Sequence, residues 1–123
     1  MTAILVVDDD ISIREVVAAV LQYHGYRAVT ASNGKEAITY LEKGDLPDLI
    51  LSDMMMPVMN GQELCRTLLA DRIYRSIPVV LMSAAFGARD RDTPGFAAFL
   101  AKPFDAKELL STISRVLAKR TLK

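Results

Sequence analysis

Two apolar runs of this sequence end directly on acidic residues. The run "AILVV" is followed by three aspartates, Asp8, Asp9 and Asp10, and the run "LILS" is followed by Asp53. Carboxylates that are brought together repel one another, which raises the free-energy cost of ionising all of them, and a divalent cation removes that cost. Because carboxylate oxygens suit hard cations and no histidine or cysteine accompanies them, this pattern indicates Mg²⁺ or another hard ion rather than zinc.

A hydroxyl group and an amine follow two later apolar runs. Ser83 ends the run "VVLMS", and Lys102 comes directly after "FAAFLA". A cation held by Asp8 and Asp9 would leave Asp53 free as a nucleophile toward phosphorus. Ser83 would then donate a hydrogen bond to one phosphoryl oxygen, and Lys102 would neutralise another. Each residue alone is more often a helix cap, a turn residue or a surface residue, but together they predict a phosphoryl-transfer site.

Short apolar runs alternate with segments of helical periodicity along the chain. The predicted strands span 3–7, 26–31, 47–53, 77–83 and 96–101, and the clearest predicted helices span 11–24, 32–44, 60–72 and 105–119. This alternation predicts an α/β fold, a doubly wound parallel sheet of five strands with helices on both faces, because each crossover must cover apolar strands. Ligands bind beyond the carboxyl ends of the strands in such folds, and the polar residues described above all follow strands.

Several residues mark helix ends or core positions. Asn33 is placed to cap the second helix, and Glu36, three residues later, completes a capping-box-like signal. Gly25 predicts the end of the first helix, and His24 beside it is interpreted as a helix-end residue rather than a ligand or base. Cys65 occupies an apolar position of the third helix and is interpreted as a small core residue.

The composition is that of one small domain. The chain has 123 residues, 51% of them hydrophobic, which suffices for a sizeable core, and we expect one domain over residues 1–123. Basic and acidic residues balance at 15 each, so nothing favours direct nucleic-acid binding. A single cysteine excludes an intrachain disulfide, and the first residues contain no signal or membrane segment. We therefore expect a soluble, cytoplasmic protein without membrane association.

The whole chain resembles the receiver domain of two-component response regulators, in its chemotaxis-regulator-like form. The segments that carry the resemblance cover nearly the full length in the expected order: "ILVVDDD", "GYRAVTASNGKEA", "PDLILSDMMMPVMNG", "VVLMSA" and "FLAKPF". The resemblance implies a flavodoxin-like sheet with the strand order 2-1-3-4-5. It also implies a signalling phosphoacceptor rather than an enzyme, a protein that catalyses only its own phosphorylation and autodephosphorylation.

The resemblance assigns roles to the residues at the strand ends. It implies that Asp53 is the phosphoacceptor and that Mg²⁺ is held by Asp8, Asp9, Asp53 and the backbone carbonyl of Met55. It implies that Lys102 contacts the acceptor carboxylate or its phosphate. The implied partner is a sensor histidine kinase or a histidine phosphotransfer protein, which delivers the phosphoryl group from a phosphohistidine.

The resemblance also implies a switch. Ser83 would move to bond a phosphoryl oxygen, and Phe99 would repack into the vacated space. The altered surface would be recognised by a downstream effector that the sequence does not identify. The Lys102–Pro103 bond is implied to be cis. Asp10 is an extra acid at the end of the first strand, and we interpret it as the N-cap of the first helix.

The segment between Ser83 and Lys102 departs from the receiver pattern. The stretch "AAFGARDRDTPG" is shorter than usual and is a poor helix, so we expect a short or disordered fourth helix. In the family this region forms much of the output surface. Because the region departs from the family pattern here, we do not expect the usual dimer across the fourth helix, fifth strand and fifth helix, and we expect a monomer or weak dimer. Met55 and Ala85 cannot position water with a polar side chain, which predicts that the phosphoryl group is lost slowly to moderately.

Two alternative functions remain open from the sequence. The run "ILVVDDDIS" resembles the first motif of haloacid-dehalogenase-type phosphatases, in which Asp8 would be the nucleophile and Asp10 the acid/base. The chain is short for that fold, and the segment after Asp53 would be unexplained. The other alternative is a receiver-like module that signals by binding, without phosphorylation.

Overall fold

Five strands and four α-helices alternate in the computed structural model, which describes residues 1–84 and 93–121. The strands are β1 (Ala3–Val7), β2 (Arg27–Ala31), β3 (Leu49–Asp53), β4 (Val79–Ser83) and β5 (Ala98–Ala101). The helices are α1 (Ile11–Tyr23), α2 (Gly34–Glu42), α3 (Gly61–Leu69) and α4 (Ala106–Thr121), with a 3-10 turn at Tyr74–Ser76. All strand pairs are parallel, and the order β2-β1-β3-β4-β5 confirms the predicted doubly wound fold.

The side chains of β1 alternate between two cores. Leu5 and Val7 lie in the core under α2 and α3, whereas Ile4 and Val6 lie in the core under α1 and α4. All four side chains are fully buried, so the strand is continuously apolar and does not alternate between apolar and polar residues. Helices therefore cover both faces of the sheet, as predicted.

The register of the sheet determines which strand ends meet. The residue before Asp8 pairs with the residue before Asp53, so the two acids lie at neighbouring ends of β1 and β3. Ser83, the last residue of β4, pairs with the residue directly before Lys102. The polar residues that follow four different strands thus share one edge of the sheet.

Side chains cap the amino ends of the helices. Oδ1 of Asp10 accepts two backbone N–H groups in the first turn of α1, at 2.9 and 3.3 Å, which confirms Asp10 as its N-cap. Asn33 caps α2 as predicted, since its Oδ1 accepts the N–H of Glu36 at 2.8 Å. The Glu36 carboxylate, however, accepts the N–H of Ser32 and not that of the cap residue, so this is not a reciprocal capping box.

Different residues terminate helices α1 and α3. His24 is the C-cap of α1, and Gly25 follows with φ of +92°, which confirms the predicted stop. Helix α3 ends at Leu69, earlier than predicted. Asp71 accounts for this difference, because its Oδ1 accepts two backbone N–H groups of the following segment, at 2.8 and 3.1 Å, and so begins a separate 3-10 turn.

The segment that leads into β5 packs along α3. Thr93 is buried and its hydroxyl accepts a hydrogen bond from Nε2 of Gln62 at 2.9 Å. Gly95 has φ of +86°, and a Cβ atom there would lie 3.4 Å from the carbonyl oxygen of Cys65. Cys65 itself is buried, and burial raises the pKa of its thiol to about 12, so it is a protonated core residue as predicted.

The predicted short or disordered fourth helix, together with Ala85, falls in the stretch 85–92, which lies outside the described residues. The expectation about phosphoryl lifetime that depends on Ala85 therefore stays a prediction. Within the described ranges, none of the helices combines the length and the apolar character needed to cross a membrane.

Candidate functional site

Three strand ends bring two carboxylates and an ammonium group together. Nζ of Lys102 lies 3.1 Å from Oδ2 of Asp8 and 3.2 Å from Oδ1 of Asp53. Asp8 is 1% exposed and Asp53 is 7% exposed, so these ion pairs are partly withdrawn from water. Charge-assisted hydrogen bonds in such surroundings are stronger than ion pairs on an open surface. Strand β5 thus places a cation between the acids of β1 and β3.

Three carboxylates at this edge are close enough to hold one metal ion. One oxygen each of Asp8, Asp9 and Asp53 lies within 4.8 Å of the others. Asp8 and Asp53 are buried, whereas Asp9 is exposed, so the cluster opens to solvent on the side of Asp9. The donor set consists of oxygen atoms only, which fits a hard divalent cation such as Mg²⁺.

The acceptor candidate Asp53 is harder to ionise than an ordinary aspartate. Burial is the main cause that raises its pKa, and the charge of Asp8 raises it further. The charge and the hydrogen bond of Lys102 lower the pKa but do not cancel the rise. Without a metal ion, the site therefore has more negative charge than Lys102 alone compensates.

The opposite balance holds at Lys102. Burial on its own would lower the pKa of its amine, but the hydrogen bonds and charges of Asp8 and Asp53 outweigh that effect, and the pKa is raised. Lys102 is therefore a permanent cation at neutral pH. Because its ammonium group lies between the carboxylates of Asp8 and Asp53, it is a fixed source of positive charge at the site.

The turn that carries the first acids is held at several atoms. Oδ1 of Asp8 accepts the backbone N–H of Asp10 at 2.9 Å, and the N–H of Asp8 donates to the carbonyl oxygen of Ala31 at 3.1 Å. Nη1 of Arg14 donates to the carbonyl oxygen of Asp8 at 2.8 Å. Arg14 was not among the residues predicted from the sequence. Its only signal there is an arginine one turn into the helix that follows the acids.

The methionines after Asp53 have different surroundings. Met54 and Met56 are buried in the core under α2 and α3, where their flexible side chains fill space between strand and loop. Met55 is 75% exposed. The N–H of Met54 donates to the carbonyl oxygen of Met82 at 2.9 Å, so the sheet ladder continues one residue beyond Asp53. The metal-binding role of the Met55 carbonyl stays a prediction.

The remaining candidate residues lie where the sequence places them. Ser83 is buried at the end of β4, and its carbonyl oxygen accepts the N–H of Lys102 at 2.9 Å. Phe99 is partly buried and packs against the core under α2 and α3. The Lys102–Pro103 peptide bond is cis, as the resemblance implied. The switching roles of Ser83 and Phe99 stay predictions.

The Asp10 side chain caps helix α1 and does not belong to the acid cluster. The group of acids that could share an ion in the described part of the chain consists of Asp8, Asp9 and Asp53 and does not include Asp10. Its Oδ1 instead accepts two backbone N–H groups of α1. This geometry gives no support to a phosphatase in which Asp8 is the nucleophile and Asp10 the acid/base, because the second acid is turned to the helix.

An apolar pocket opens beside the site. It has a volume of about 480 Å³ and lies between α1 and the segment after β5. Ile13, Val16 and Phe104 contribute to its wall, and Lys102 lines it on the side of the acids. Val16 is exposed, as is Ile11 at the start of the same helix. The site is thus bordered by an apolar surface.

Comparisons with known proteins agree with this geometry. The family model of the response regulator receiver domain matches residues 4–114. The probable transcriptional regulator ycf27 of Cyanophora paradoxa is 40% identical over 121 residues, which cover 96% of this chain and 48% of that protein. The phosphate regulon transcriptional regulatory protein PhoB of Pseudomonas aeruginosa is 35% identical, over 94% of this chain and 52% of that protein. The chain spans about half the length of the curated relatives it matches.

Two solved structures are similar to this chain over nearly their full lengths. The chemotaxis protein CheY4 of Vibrio cholerae superimposes with a TM-score of 0.89 at 35% identity, covering 94% of this chain and 98% of that chain. The response regulator TrrA of Thermotoga maritima, in complex with Mg²⁺ and BeF, gives a TM-score of 0.84 at 30% identity and covers 94% and 99%. The similarity therefore extends over the whole doubly wound sheet and its helices.

Proposed function

The chain belongs to the response regulator receiver domain family, and we propose that it takes up a phosphoryl group on Asp53 and changes its surface in response. The observation that carries this proposal is the pair of contacts from Lys102 to Asp8 and Asp53, beside the exposed Asp9. Phosphoryl transfer to an aspartate needs a nucleophilic carboxylate, a fixed cation and further acids for a metal ion. The site provides all three.

Mg²⁺ is the proposed cofactor. Asp8, Asp9 and Asp53 would hold it through carboxylate oxygens, and Met55 would hold it through its backbone carbonyl. When bound, the ion would supply positive charge that stabilises the transferred phosphoryl group. The Mg²⁺ and BeF in the TrrA structure support this choice of ion by analogy.

The chemical step is a displacement at phosphorus. A carboxylate oxygen of Asp53 forms a bond to the phosphorus of a phosphohistidine while the bond from phosphorus to the imidazole nitrogen breaks, and the imidazole leaves with its electron pair. Lys102 neutralises charge on the phosphoryl oxygens, because its ammonium group already lies 3.2 Å from the acceptor carboxylate. Hydrolysis of the acyl phosphate returns Asp53 to its initial state, so the chain promotes only its own phosphorylation and autodephosphorylation.

The response to phosphorylation involves the β4 and β5 strand ends. Phosphorylation adds roughly one further negative charge and new acceptor oxygens at Asp53. Ser83, at the end of β4, would donate its hydroxyl to one of them. Phe99 packs against the core beside that position and would repack as Ser83 moves. A two-state surface of this kind converts a local charge into a signal for an effector.

The proposed partner is a sensor histidine kinase or a histidine phosphotransfer protein. The apolar pocket between α1 and the segment after β5 supports this, because a protein that presents a phosphohistidine to Asp53 must pack beside Lys102. A downstream effector of unidentified type completes the signal, and a cytoplasmic location suits both partners. We further propose that residues 1–123 form one receiver domain that is monomeric or weakly dimeric.

Phosphorylation by acetyl phosphate in the presence of Mg²⁺ tests the proposal. We expect intact-mass analysis to find one phosphoryl group, peptide mapping to place it on Asp53, and chelation of Mg²⁺ to prevent it. Asp53→Asn should stay unlabelled, whereas Asp45→Asn, an exposed change of equal charge, should behave like the wild type. A phosphoryl group mapped to Asp8 would contradict the proposal. A wild-type chain that takes up no phosphate and binds no beryllofluoride would support the binding-only alternative.

A further inference from the structure

The loop that joins Asp53 to α3 contains a strained residue. Val58 has φ of +69°, and the carbonyl oxygen of Pro57 accepts the N–H of Met59 at 2.8 Å, which closes a tight three-residue turn around Val58. A β-branched residue is disfavoured in this left-handed region. Val58 is also 72% exposed, so burial of its side chain does not offset the strain. Contacts elsewhere must therefore hold the loop in this conformation.

The amino ends of two helices hold the loop at its two ends. The N–H of Gly61, the first residue of α3, donates to the carbonyl oxygen of Met54 at 3.1 Å. The N–H of Gly34, the first residue of α2, donates to the carbonyl oxygen of Met59 at 3.1 Å. The first N–H groups of a helix have no acceptor inside the helix, so they are available for this contact. The contact from Gly61 is local, whereas the contact from Gly34 comes from a different crossover.

Gly34 approaches the loop more closely than any other residue type could. A Cβ atom at Gly34 would lie 2.7 Å from Cγ and 2.9 Å from the carbonyl oxygen of Met59. The backbone of Gly34 does not have a positive φ, so the conformation itself does not demand glycine. Alanine is the better helix former, so glycine at this position is explained by the close approach and not by the helix.

We propose that Gly34 is a positioning residue for phosphorylation at Asp53, acting through Met59 on the loop 54–60; this inference rests on the function proposed above. The loop connects the acceptor to α3 and includes Met55, whose carbonyl is the predicted fourth ligand of Mg²⁺. An added methyl group at Gly34 pushes the Met59 backbone away and moves the loop relative to Asp8 and Asp53. A displacement of about 1 Å in a group that positions reactants can lower a rate by roughly 100-fold.

The other end of the same helix offers a matched control. Gly44 follows the C-cap of α2 and has φ of +99°, and a Cβ atom added there would meet no heavy atom within 4 Å. Alanine at Gly44 therefore strains the backbone and destabilises α2 without touching the loop 54–60. The pair Gly34→Ala and Gly44→Ala separates an effect on the site from an effect on the stability of the helix.

The experiment measures three properties of the wild type and of both variants: Mg²⁺-dependent beryllofluoride affinity by ¹⁹F NMR, Tm, and amide exchange in residues 54–60. We expect both variants to lower Tm. Only Gly34→Ala should weaken beryllofluoride binding, by at least about tenfold given the sensitivity of such sites to small displacements, and speed amide exchange in the loop. Equal losses of affinity in the two variants, or no loss in Gly34→Ala, would overturn the inference.

A second set of variants tests the route through Met59. Met59→Ala removes two of the three atoms nearest to the added methyl group, namely Cγ and Sδ, and leaves the carbonyl oxygen. We expect Gly34→Ala to weaken binding less in the Met59→Ala background than in the wild type, which a double-mutant cycle detects. An unchanged effect would exclude the Met59 side chain as the mediator and assign the effect to the contact with the Met59 carbonyl oxygen. Failure of the wild type to bind beryllofluoride would instead reject the proposed function itself.

Discussion

Nζ of Lys102 lies 3.2 Å from Oδ1 of Asp53, although 49 positions separate the two residues in the sequence. Strand β4 lies between the strands that carry them, so this contact requires β3, β4 and β5 to be paired in their final register. The contact between Lys102 and Asp53 is therefore present only when the sheet is complete.

Removing the cation should slow phosphorylation. Lys102→Met removes the fixed counter-charge that Lys102 would provide to the phosphoryl oxygens, and we expect the rate with acetyl phosphate to fall by roughly 100-fold, as for the loss of a preorganised donor. The control is Lys119→Met, which removes the same charge from the exposed surface near the other end of α4. Equal rates for Lys102→Met and the wild type would show that the 3.2 Å contact has no role in the transfer.

The metal-free site should be a source of instability at neutral pH. Burial and the charge of Asp8 raise the pKa of Asp53 above its ordinary value of 3.8, so the native state binds this proton more tightly than the unfolded state does. The contribution of Asp53 to stability is therefore complete below pH 3.8 and is lost as the pH rises through the raised pKa. Asp53→Asn should have a higher Tm than the wild type at neutral pH in the presence of a chelator.

Thermal melts between acidic and neutral pH check this prediction. The difference in Tm between Asp53→Asn and the wild type should shrink as the pH falls toward 3.8. Asp45→Asn changes the same charge in an exposed loop and should shift Tm little. A lower Tm for Asp53→Asn than for the wild type at neutral pH would be inconsistent with the raised pKa.

Substitution by asparagine should lower the affinity for Mg²⁺ at Asp9 but not at the adjacent Asp10. Asp9 is the exposed member of the acid cluster, so Asp9→Asn should weaken Mg²⁺ binding by at least about tenfold, the lower end of losses seen even for residues outside a metal's first ligands. Asp10→Asn should leave Mg²⁺ affinity unchanged, because asparagine caps a helix as well as aspartate does. Titration of Mg²⁺ followed by amide chemical shifts measures both. Equal weakening by the two substitutions would place Asp10 in the metal site.

Relief of the strained turn should stabilise the chain. Asparagine is found at positive φ more often than a β-branched residue is, so Val58→Asn should raise the free energy of unfolding by about 1 kcal/mol. Val58→Ala keeps a Cβ atom in the strained conformation and should give a smaller gain. Urea unfolding measures both differences in the free energy of unfolding. Because the Val58 side chain is exposed, neither substitution removes packing contacts of the core. A Val58→Asn variant less stable than the wild type would mean that the turn is not strained.

The sequence alone was sufficient to predict a parallel sheet and to place the acids at the carboxyl ends of its strands. Asp8 and Asp53 follow apolar runs, and the rule that parallel strands present their carboxyl ends at one edge was enough to place both at the same edge as Lys102. The contact of Lys102 with the acceptor carboxylate was implied by the resemblance to the receiver family. Asp10 was correctly separated from them as a cap, because an acid directly before a helical pattern has a well-known local role. These predictions depend on local periodicity and on topology, both of which the sequence carries.

Other features are not encoded in the periodicity of the sequence. The hydrogen bond of Arg14 to the carbonyl oxygen of Asp8 and the close approach of Gly34 to Met59 leave no periodic pattern in the sequence. The positive φ of Val58 runs against the preference of its own side chain, so propensity predicts the wrong conformation there. The capping box expected at α2 is not reciprocal, because side-chain geometry and not spacing selects the donor to its glutamate.

The hydrogen bond between Gln62 and Thr93 has a consequence for how such a domain can diversify. One end of the intervening chain is fixed by Ser83 in the sheet, and the other is fixed by Thr93 against α3. Lengthening a connection whose ends are already anchored costs only about 0.6 kcal/mol per doubling. Residues between these anchors can therefore be inserted, deleted or exchanged over generations while Lys102 keeps its distance to Asp53. Sequence change between these two anchors can therefore proceed without renewed selection on the contact between Lys102 and Asp53.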